Sequence, residues 1–212
     1  MSKNLLKYIK FSTYCILYLC VFSCKDVKTV EEPLDKTVLN EHQVEFLNST
    51  VWLPPSYEKQ TYEELFEIAS VTDDPQVNML LQSSKSYRDQ EKKPIFFRDE
   101  FTRDNLIGMY PMPYQKLDKQ SATYWISSYA AMMKRDDQRL GRTSEIVEKR
   151  IKRFGSHQMI KLKVKQVYAF TTNRHFMQYY ISGPKHSFMV VHLDVLLSDY
   201  ERNFKELSLS SE

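Results

Sequence analysis

Within the segment from Gln158 to Phe170, apolar residues and lysines alternate from Ile160 to Lys165. The alternate positions are apolar on one side and lysine on the other: Ile160, Leu162 and Val164 against Lys161, Lys163 and Lys165. A period of two residues is typical of a β-strand with one buried and one solvated face. The pattern therefore predicts a half-exposed strand that carries a row of lysines.

Between about Lys119 and Leu140 the apolar residues recur at a spacing of three and four residues. They are Ala122, Trp125, Ile126, Tyr129, Met132 and Met133. This spacing predicts a long helix with one apolar stripe. Gly141 is placed to end it, because glycine readily adopts the left-handed conformation found at helix C-termini.

Shorter patterns predict the remaining elements. Strands are predicted at 48–53, 94–99, 105–110, 146–154, 175–182 and 186–195. Pro111 and Pro113 are expected to close the third of these strands. Thr61 and Glu64 have the spacing of a capping box and predict a helix. A second short helix is predicted to begin near Asp74-Pro75, and Ser198 is expected to cap a terminal helix.

Two stretches give this order of elements a family resemblance. They are V-W-L-P-P-S-Y-E at residues 51–58 and H-S-F-M-V-V-H-L-D-V-L-L-S-D-Y-E-R-N-F-K-E-L at residues 186–207. They resemble the first strand with its proline turn, and the final strand and helix, of the PsbP/Mog-like family. The resemblance covers roughly residues 48–208. It implies an α+β fold, an α/β/α sandwich with a mainly antiparallel sheet flanked by helices, and a role in binding or assembly.

The beginning of the chain has the charge order of an export signal. Three lysines precede Phe11–Phe22, an uncharged and mostly apolar run. A membrane-spanning helix needs about 20 apolar residues, so this run has instead the proportions of a signal-peptide core. Its end, Val21-Phe22-Ser23-Cys24, resembles the lipobox of bacterial lipoproteins, which implies lipid attachment at Cys24. The alternative is a short buried apolar segment with an incidental cysteine.

This leader predicts the domain organisation and the location of the protein. Residues 1–23 are a lipoprotein signal peptide, residues 24–45 a charged, flexible tether, and residues 46–212 a single PsbP/Mog-like domain. The anchor implies the bacterial cell envelope and attachment to a membrane through the N-terminal lipid. The Lys25-Asp26 pair after the cysteine favours the outer membrane over the inner one.

Cysteine and charge counts exclude several functions for the processed chain. Its three cysteines, Cys15, Cys20 and Cys24, all lie in or next to the leader, so the domain would hold no disulfide and no cysteine-based metal site. The leader holds three of the 30 lysines and arginines and no acid, which leaves 27 basic residues against 27 acidic ones. A neutral mature chain gives no reason to expect nucleic acid as a partner.

The sequence contains no catalytic signature. Its four glycines are far apart, which excludes a phosphate-cradling loop, and G-x-S-x-G, H-E-x-x-H and acidic calcium-loop motifs are absent. No catalytic residue, cofactor or metal is therefore predicted. The histidines His175, His186 and His192 leave open a hydrolase or metal-dependent enzyme. A carrier for a small apolar ligand is a further alternative, which needs an enclosed cavity between the sheet and the long helix.

The best candidate interaction surface is the lysine row Lys161, Lys163 and Lys165, reinforced by basic residues of the preceding strand. Such a surface could dock an acidic partner or anionic lipid headgroups. The alternative is a solvated sheet face whose lysines discourage edge pairing. The sequence as a whole predicts a lipid-anchored, noncatalytic binding or assembly module with a protein partner in the envelope.

Overall fold

The two sequence periods correspond to a sheet and to the helices that cover it. A computed structural model of the chain describes residues 34–72, 75–87, 90–102, 104–168, 174–195 and 198–211. The strands are β1 (Asn40–Val44), β2 (Ser49–Leu53), β3 (Tyr57–Gln60), β4 (Ile95–Asp99), β5 (Leu106–Met112), β6 (Arg142–Phe154), β7 (His157–Tyr168), β8 (Arg174–Ser182) and β9 (Ser187–Asp194). The helices are α1 (Tyr62–Thr72), α2 (Pro75–Ser84), α3 (Lys119–Leu140) and α4 (Glu201–Ser210), and short 3₁₀ turns lie at Lys36–Val38, Glu45–Leu47 and Lys85–Tyr87.

Seven strands form one sheet in the order β3-β4-β5-β9-β8-β7-β6, and every neighbouring pair is antiparallel. The strands β1 and β2 form a separate antiparallel pair. Strand β3 lies at one edge of the large sheet and the 13-residue strand β6 at the other. The predicted meander from β6 to β9 is therefore confirmed, and it occupies one side of the sheet.

Both faces of the large sheet are covered because its strands place apolar residues on both sides. One face packs against the β1–β2 pair and α4, with Phe204 and Leu207 of the helix fully buried. The other face packs against α1, α2 and α3 through Leu65, Leu80 and Ala122, among others. These layers confirm the α+β class with an antiparallel sheet flanked by helices.

Helix boundaries follow the predicted capping residues in two cases. The Thr61 hydroxyl accepts a hydrogen bond from the Glu64 amide at 3.1 Å, and the Glu64 carboxylate accepts one from the Thr61 amide at 2.7 Å. These two bonds form the predicted capping box of α1. At the end of α3, Gly141 has φ +60°, a left-handed conformation that costs glycine little.

Helix α4 begins later than predicted. Ser198 does not cap it, because the Ser198 amide is directed back to the Asp194 carboxylate and the helix starts at Glu201. The side chains of Phe204 and Leu207 still face inward, as the helical spacing predicts.

Three other predictions differ from the structure. The tether was expected to reach residue 45, but β1 pairs with β2 and belongs to the folded region, while residues 24–33 lie outside the described residues. Strand β5 does not stop before Pro111 but continues to Met112. Its pairing with β4 ends at Met109, so at Pro111 the neighbouring strand among the described residues is β9. Strand β3 was not predicted, because only Tyr57 of its four residues is buried.

Candidate functional site

The three lysines of the predicted surface lie on one face of β7, but their environments differ. Lys163 and Lys165 are partly buried, whereas only 3% of the Lys161 side chain is exposed. The segment that leads into α4 crosses the face at Lys161 and brings two carboxylates to it. The expectation that all three lysines lie on a solvated face is therefore wrong for Lys161.

Carboxylates from three places surround the Lys161 ammonium. It lies 3.1 Å from Oε2 of Glu201 and 3.6 Å from Oε1 of Glu148, and it also pairs with Asp199. Glu201 accepts a second bond at 2.6 Å from Lys152 of β6. This cluster, Lys161 with Glu148, Lys152, Asp199 and Glu201, links the start of α4 to β6 and β7.

The contacts of the cluster favour the charged forms of Lys161, Asp199 and Glu201. Burial by itself lowers the pKa of Lys161, but hydrogen bonds and charges from Asp199 and Glu201 outweigh it, so the pKa is raised. Burial by itself raises the pKa of Glu201, but bonds from Lys152 and Lys161 outweigh it, so that pKa is lowered. A lysine that must act as a base at neutral pH needs the opposite shift. The geometry therefore assigns these residues to holding α4 on the sheet.

His192 is the centre of a second buried group of polar side chains, on the same face of the sheet as Lys161. Its Nε2 lies 3.4 Å from the Tyr57 hydroxyl, and its ring lies 5.1 Å from that of Tyr200. The side chain has no exposed surface. Burial lowers the pKa of His192 to about 4, against the opposing charges of Asp194 and Asp199.

The three candidate histidines do not form one site. Across the β8–β9 ladder His175 is opposite Asp194, and His192 is opposite Met177. His186 lies in the turn before β9, and burial, with the charges of Lys92 and Lys185, lowers its pKa. Within the described ranges no group of three or more histidine, cysteine and acidic side chains could hold a metal ion.

An open cleft of about 800 Å³ lies beside the β3 edge of the sheet. Its walls come from β3, β4, the 3₁₀ turn Glu45–Leu47, the first turn of α1 and the chain that follows α2. Pockets of about 300–1,000 Å³ are typical of small-molecule binding sites. The cleft therefore has the size of a binding site.

The floor of the cleft is apolar and its rim is charged. Buried or partly buried residues form the floor: Phe46, Tyr62, Tyr87, Pro94, Ile95 and Phe96. Charged residues form the rim: Glu45, Lys59, Glu63, Glu64, Glu91, Lys92 and Lys93. This distribution fits a partly apolar ligand or partner segment whose polar groups remain at the opening.

Hydrogen bonds and ring contacts fix the shape of the cleft. The Tyr87 hydroxyl donates to the Met112 sulfur at 3.4 Å, and its ring centroid lies 6.0 Å from that of Tyr110. On the other wall the Lys59 ammonium donates to the Gln43 carbonyl at 3.2 Å and pairs with Glu45. These contacts join the residues of each wall to neighbouring parts of the fold.

The cavity expected between the sheet and the long helix has a different form. There the residues Thr123, Ile126, Ser127, Lys149, Arg150 and Ile151 line an open groove of about 360 Å³ between α3 and β6. An enclosed apolar cavity was the feature required of a ligand carrier at this place, and this groove is open and partly basic. Among the described residues no helix is both long and apolar enough to cross a membrane.

Comparisons with known proteins show similarity to solved structures alone. No protein-family model and no curated protein matches the chain. The solution structure of cyanobacterial PsbP (CyanoP) from Synechocystis sp. PCC 6803 is similar, with 12% identity and a TM-score of 0.47, over 82% of this chain and 91% of that one. At this TM-score the similarity carries no conclusion about function, and the fold class rests on the strands and helices themselves.

Sequence reasoning missed both the cleft and the charge cluster. Asp199 and Glu201 look like the acidic start of a helix, and their partner Lys161 looks like a solvated residue of a strand. About 40 positions separate Lys161 from Glu201, and no local pattern joins them. The floor of the cleft likewise comes from separate elements, so only the folded chain brings its aromatic residues together.

Proposed function

We propose that this protein is a lipid-anchored binding or assembly module of the bacterial envelope, and that the cleft beside β3 receives its ligand or a segment of its partner. The cleft is the observation that carries this proposal. It is open, and it combines an apolar floor with a charged rim. These are the properties of a recognition site.

The arrangement of the titratable side chains supports binding over catalysis. Lys161 is enclosed by carboxylates that keep it charged, and His192 is buried against two tyrosines. A general acid or base must reach the atom whose proton it transfers. Neither side chain lines the cleft.

The anchor is the part of the proposal that rests on sequence. Cys24 and the segment up to residue 33 lie outside the described residues. An acylated Cys24 would hold the domain at a membrane surface, with several acyl chains giving stable attachment where one gives only marginal binding. A protein partner in the outer membrane or the periplasm is then expected.

Cross-linking in native membranes, followed by purification of the full-length protein and mass spectrometry, tests the proposal. We expect a specific partner or ligand with the wild-type protein and its loss with Gln60→Trp, which places a large side chain in the cleft. Glu58→Trp is the matched control, because Glu58 lies on the same strand outside the cleft. Cys24→Ala tests whether capture requires the anchor.

Two results would overturn the proposal. One is that no specific partner or ligand is recovered with the wild-type protein. The other is that Gln60→Trp and Glu58→Trp recover the same partner in equal amount, which would place its binding outside the cleft.

A further inference from the structure

The far edge of the sheet, formed by β6, offers a second place for recognition. Strand β6 has 13 residues and one neighbour among the described strands, β7. In an antiparallel ladder about half of the backbone N–H and C=O groups of an edge strand point away from its neighbour. Strand β6 is long for an edge strand, since strands average about five or six residues.

A β-bulge divides β6 into two parts. The register with β7 shifts between Ile146 and Glu148, and Val147 at the bulge is 47% exposed. From Glu148 to Phe154 the pairing with β7 is continuous. This second part provides a regular, seven-residue edge.

The regular edge carries three aligned side chains on the face that α3 covers. Lys149, Ile151 and Arg153 are two residues apart, so they point to the same face. Ile151 is opposite Ile160, which packs against α3, and this identifies the face. The row is therefore a cation, an apolar side chain and a second cation.

These three side chains remain open to a partner. Ile151 is 49% exposed, and both Lys149 and Arg153 are exposed. Within the part of the chain that the structure describes, neither cation has an ion-pair partner. The neighbouring cations differ in this respect, because Arg150 pairs with Glu148 and Lys152 pairs with Glu201.

The groove between α3 and β6 provides space beside this row. The small exposed residues Thr123 and Ser127 face it from α3, and Ile126 adds an apolar wall. Side chains of an added strand that point towards α3 would enter this groove. An apolar side chain opposite Ile151 would cover its exposed surface.

Charge decides which strand fits. A second, antiparallel copy of β6 with Ile151 opposite Ile151 would place Lys149 opposite Arg153, which is unfavourable because like charges are directly opposed. An acidic segment would place carboxylates opposite both cations. Because the three side chains are two residues apart, five consecutive positions of the incoming strand must carry acidic residues at the first and fifth and an apolar residue at the third.

We propose that β6 binds an extended acidic segment of a partner protein as an additional strand, through Lys149, Ile151 and Arg153. This inference rests on the proposed binding role and assigns a partner chemistry to a surface other than the cleft. Backbone pairing with β6 supplies part of the affinity, and the row of side chains supplies the selectivity.

Fluorescence anisotropy with the full chain in a neutral detergent tests the inference. The probe is the labelled peptide Thr-Glu-Thr-Val-Thr-Glu-Thr, and the comparison peptide carries lysine in place of both glutamates. We expect saturable binding of the glutamate peptide, at least tenfold weaker binding of the lysine peptide, and weaker binding as salt is raised. N-methylation of the peptide backbone should abolish binding.

Charge reversal provides the decisive variant. Lys149→Glu with Arg153→Glu should weaken binding of the glutamate peptide about tenfold or more and make the lysine peptide the better ligand. Lys134→Glu with Arg135→Glu, on the exposed side of α3, changes the net charge equally and should leave the preference unchanged. Far-ultraviolet circular dichroism confirms that each variant is folded.

Several results would overturn the inference. They are equal affinity for the two peptides, binding that survives N-methylation, or a preference that the charge reversal does not change. Binding of the chain to phosphatidylglycerol vesicles, lost in the same double variant and without peptide binding, would assign this surface to a membrane instead.

The two proposals fail separately. Gln60→Trp should leave peptide binding unchanged, because Gln60 lies at the opposite edge of the sheet from β6. A native partner lost with Gln60→Trp, together with no peptide binding by the wild type, would reject only the β6 inference. Peptide binding without any native partner would reject only the proposed function.

Discussion

The ammonium of Lys161 and the carboxylate of Glu201 lie 3.1 Å apart, with only 3% and 11% of their side chains exposed. The contact joins the middle of β7 to the first residue of α4. A buried charge that loses its partner retains the cost of leaving water. Lys161 is therefore, with Lys152, one of the cations that hold the start of α4 on the sheet.

Replacing Lys161 should destabilise the fold. Lys161→Met removes a cation from between Asp199, Glu148 and Glu201, and we expect a loss of about 3 kcal/mol in the free energy of unfolding. Lys163→Met is the matched control on the same face of the same strand, and it should change stability by about 0.5 kcal/mol or less. Urea denaturation followed by circular dichroism measures both. Equal losses for the two variants would contradict the role assigned to Lys161.

The burial of His192 predicts a pH-dependent stability. Its pKa is about 4 in the folded chain and about 6.5 as the ordinary value, so the unfolded chain binds the proton at the higher pH. The contribution of His192 to the free energy of unfolding is present in full above pH 6.5. It is lost as the pH falls through 4, by about 3 kcal/mol in total.

His192→Phe should remove this part of the pH dependence, because phenylalanine keeps a ring beside Tyr200 and does not titrate. His186→Phe, in the turn before β9, should retain most of it. Free energies of unfolding measured from pH 7 to pH 4 test the difference. An unchanged slope in His192→Phe would show that other groups cause the loss.

The turn between β8 and β9 has no room for a side chain at Gly183. A Cβ at this position would lie 2.5 Å from Nε2 of His157, and the His157 ring is buried and stacked on Phe154 at 5.4 Å. Gly183→Ala should therefore cost about 2 kcal/mol of stability. In a His157→Ser background the same change should cost much less, so a double-mutant cycle measures the clash. Additive effects of the two substitutions on stability would exclude the clash between position 183 and His157.

Acylation at Cys24 predicts the chemistry of the mature N-terminus. Mass spectrometry of the protein from its native membranes should show a chain that begins at an acylated Cys24. Cys24→Ala should lack the lipid and leave the membrane fraction, whereas Cys20→Ala, within the leader, should be processed as the wild type. An intact Met1 terminus in the wild-type protein would contradict the lipoprotein hypothesis.

Local patterns were sufficient to predict most elements. The capping box of Thr61 and Glu64, the stripe of α3 and the glycine after it all depend on residues a few positions apart. The same holds for the alternation in β7, because neighbouring side chains of a strand point to opposite faces. Elements with weak patterns, such as the polar strand β1, were missed because their pairing partner, not their own periodicity, makes them strands.

The sequence by itself determined the order of the main elements, since each follows from the period of a continuous segment. Its resemblances to the PsbP/Mog-like family and to the lipobox implied the class of the fold and the lipid anchor. Only the tertiary structure decided that Lys161 is enclosed and that Lys149 and Arg153 remain exposed, because burial depends on which distant segment crosses the strand. The same holds for the cleft beside β3. Its walls come from segments far apart in the chain, and no periodicity connects them.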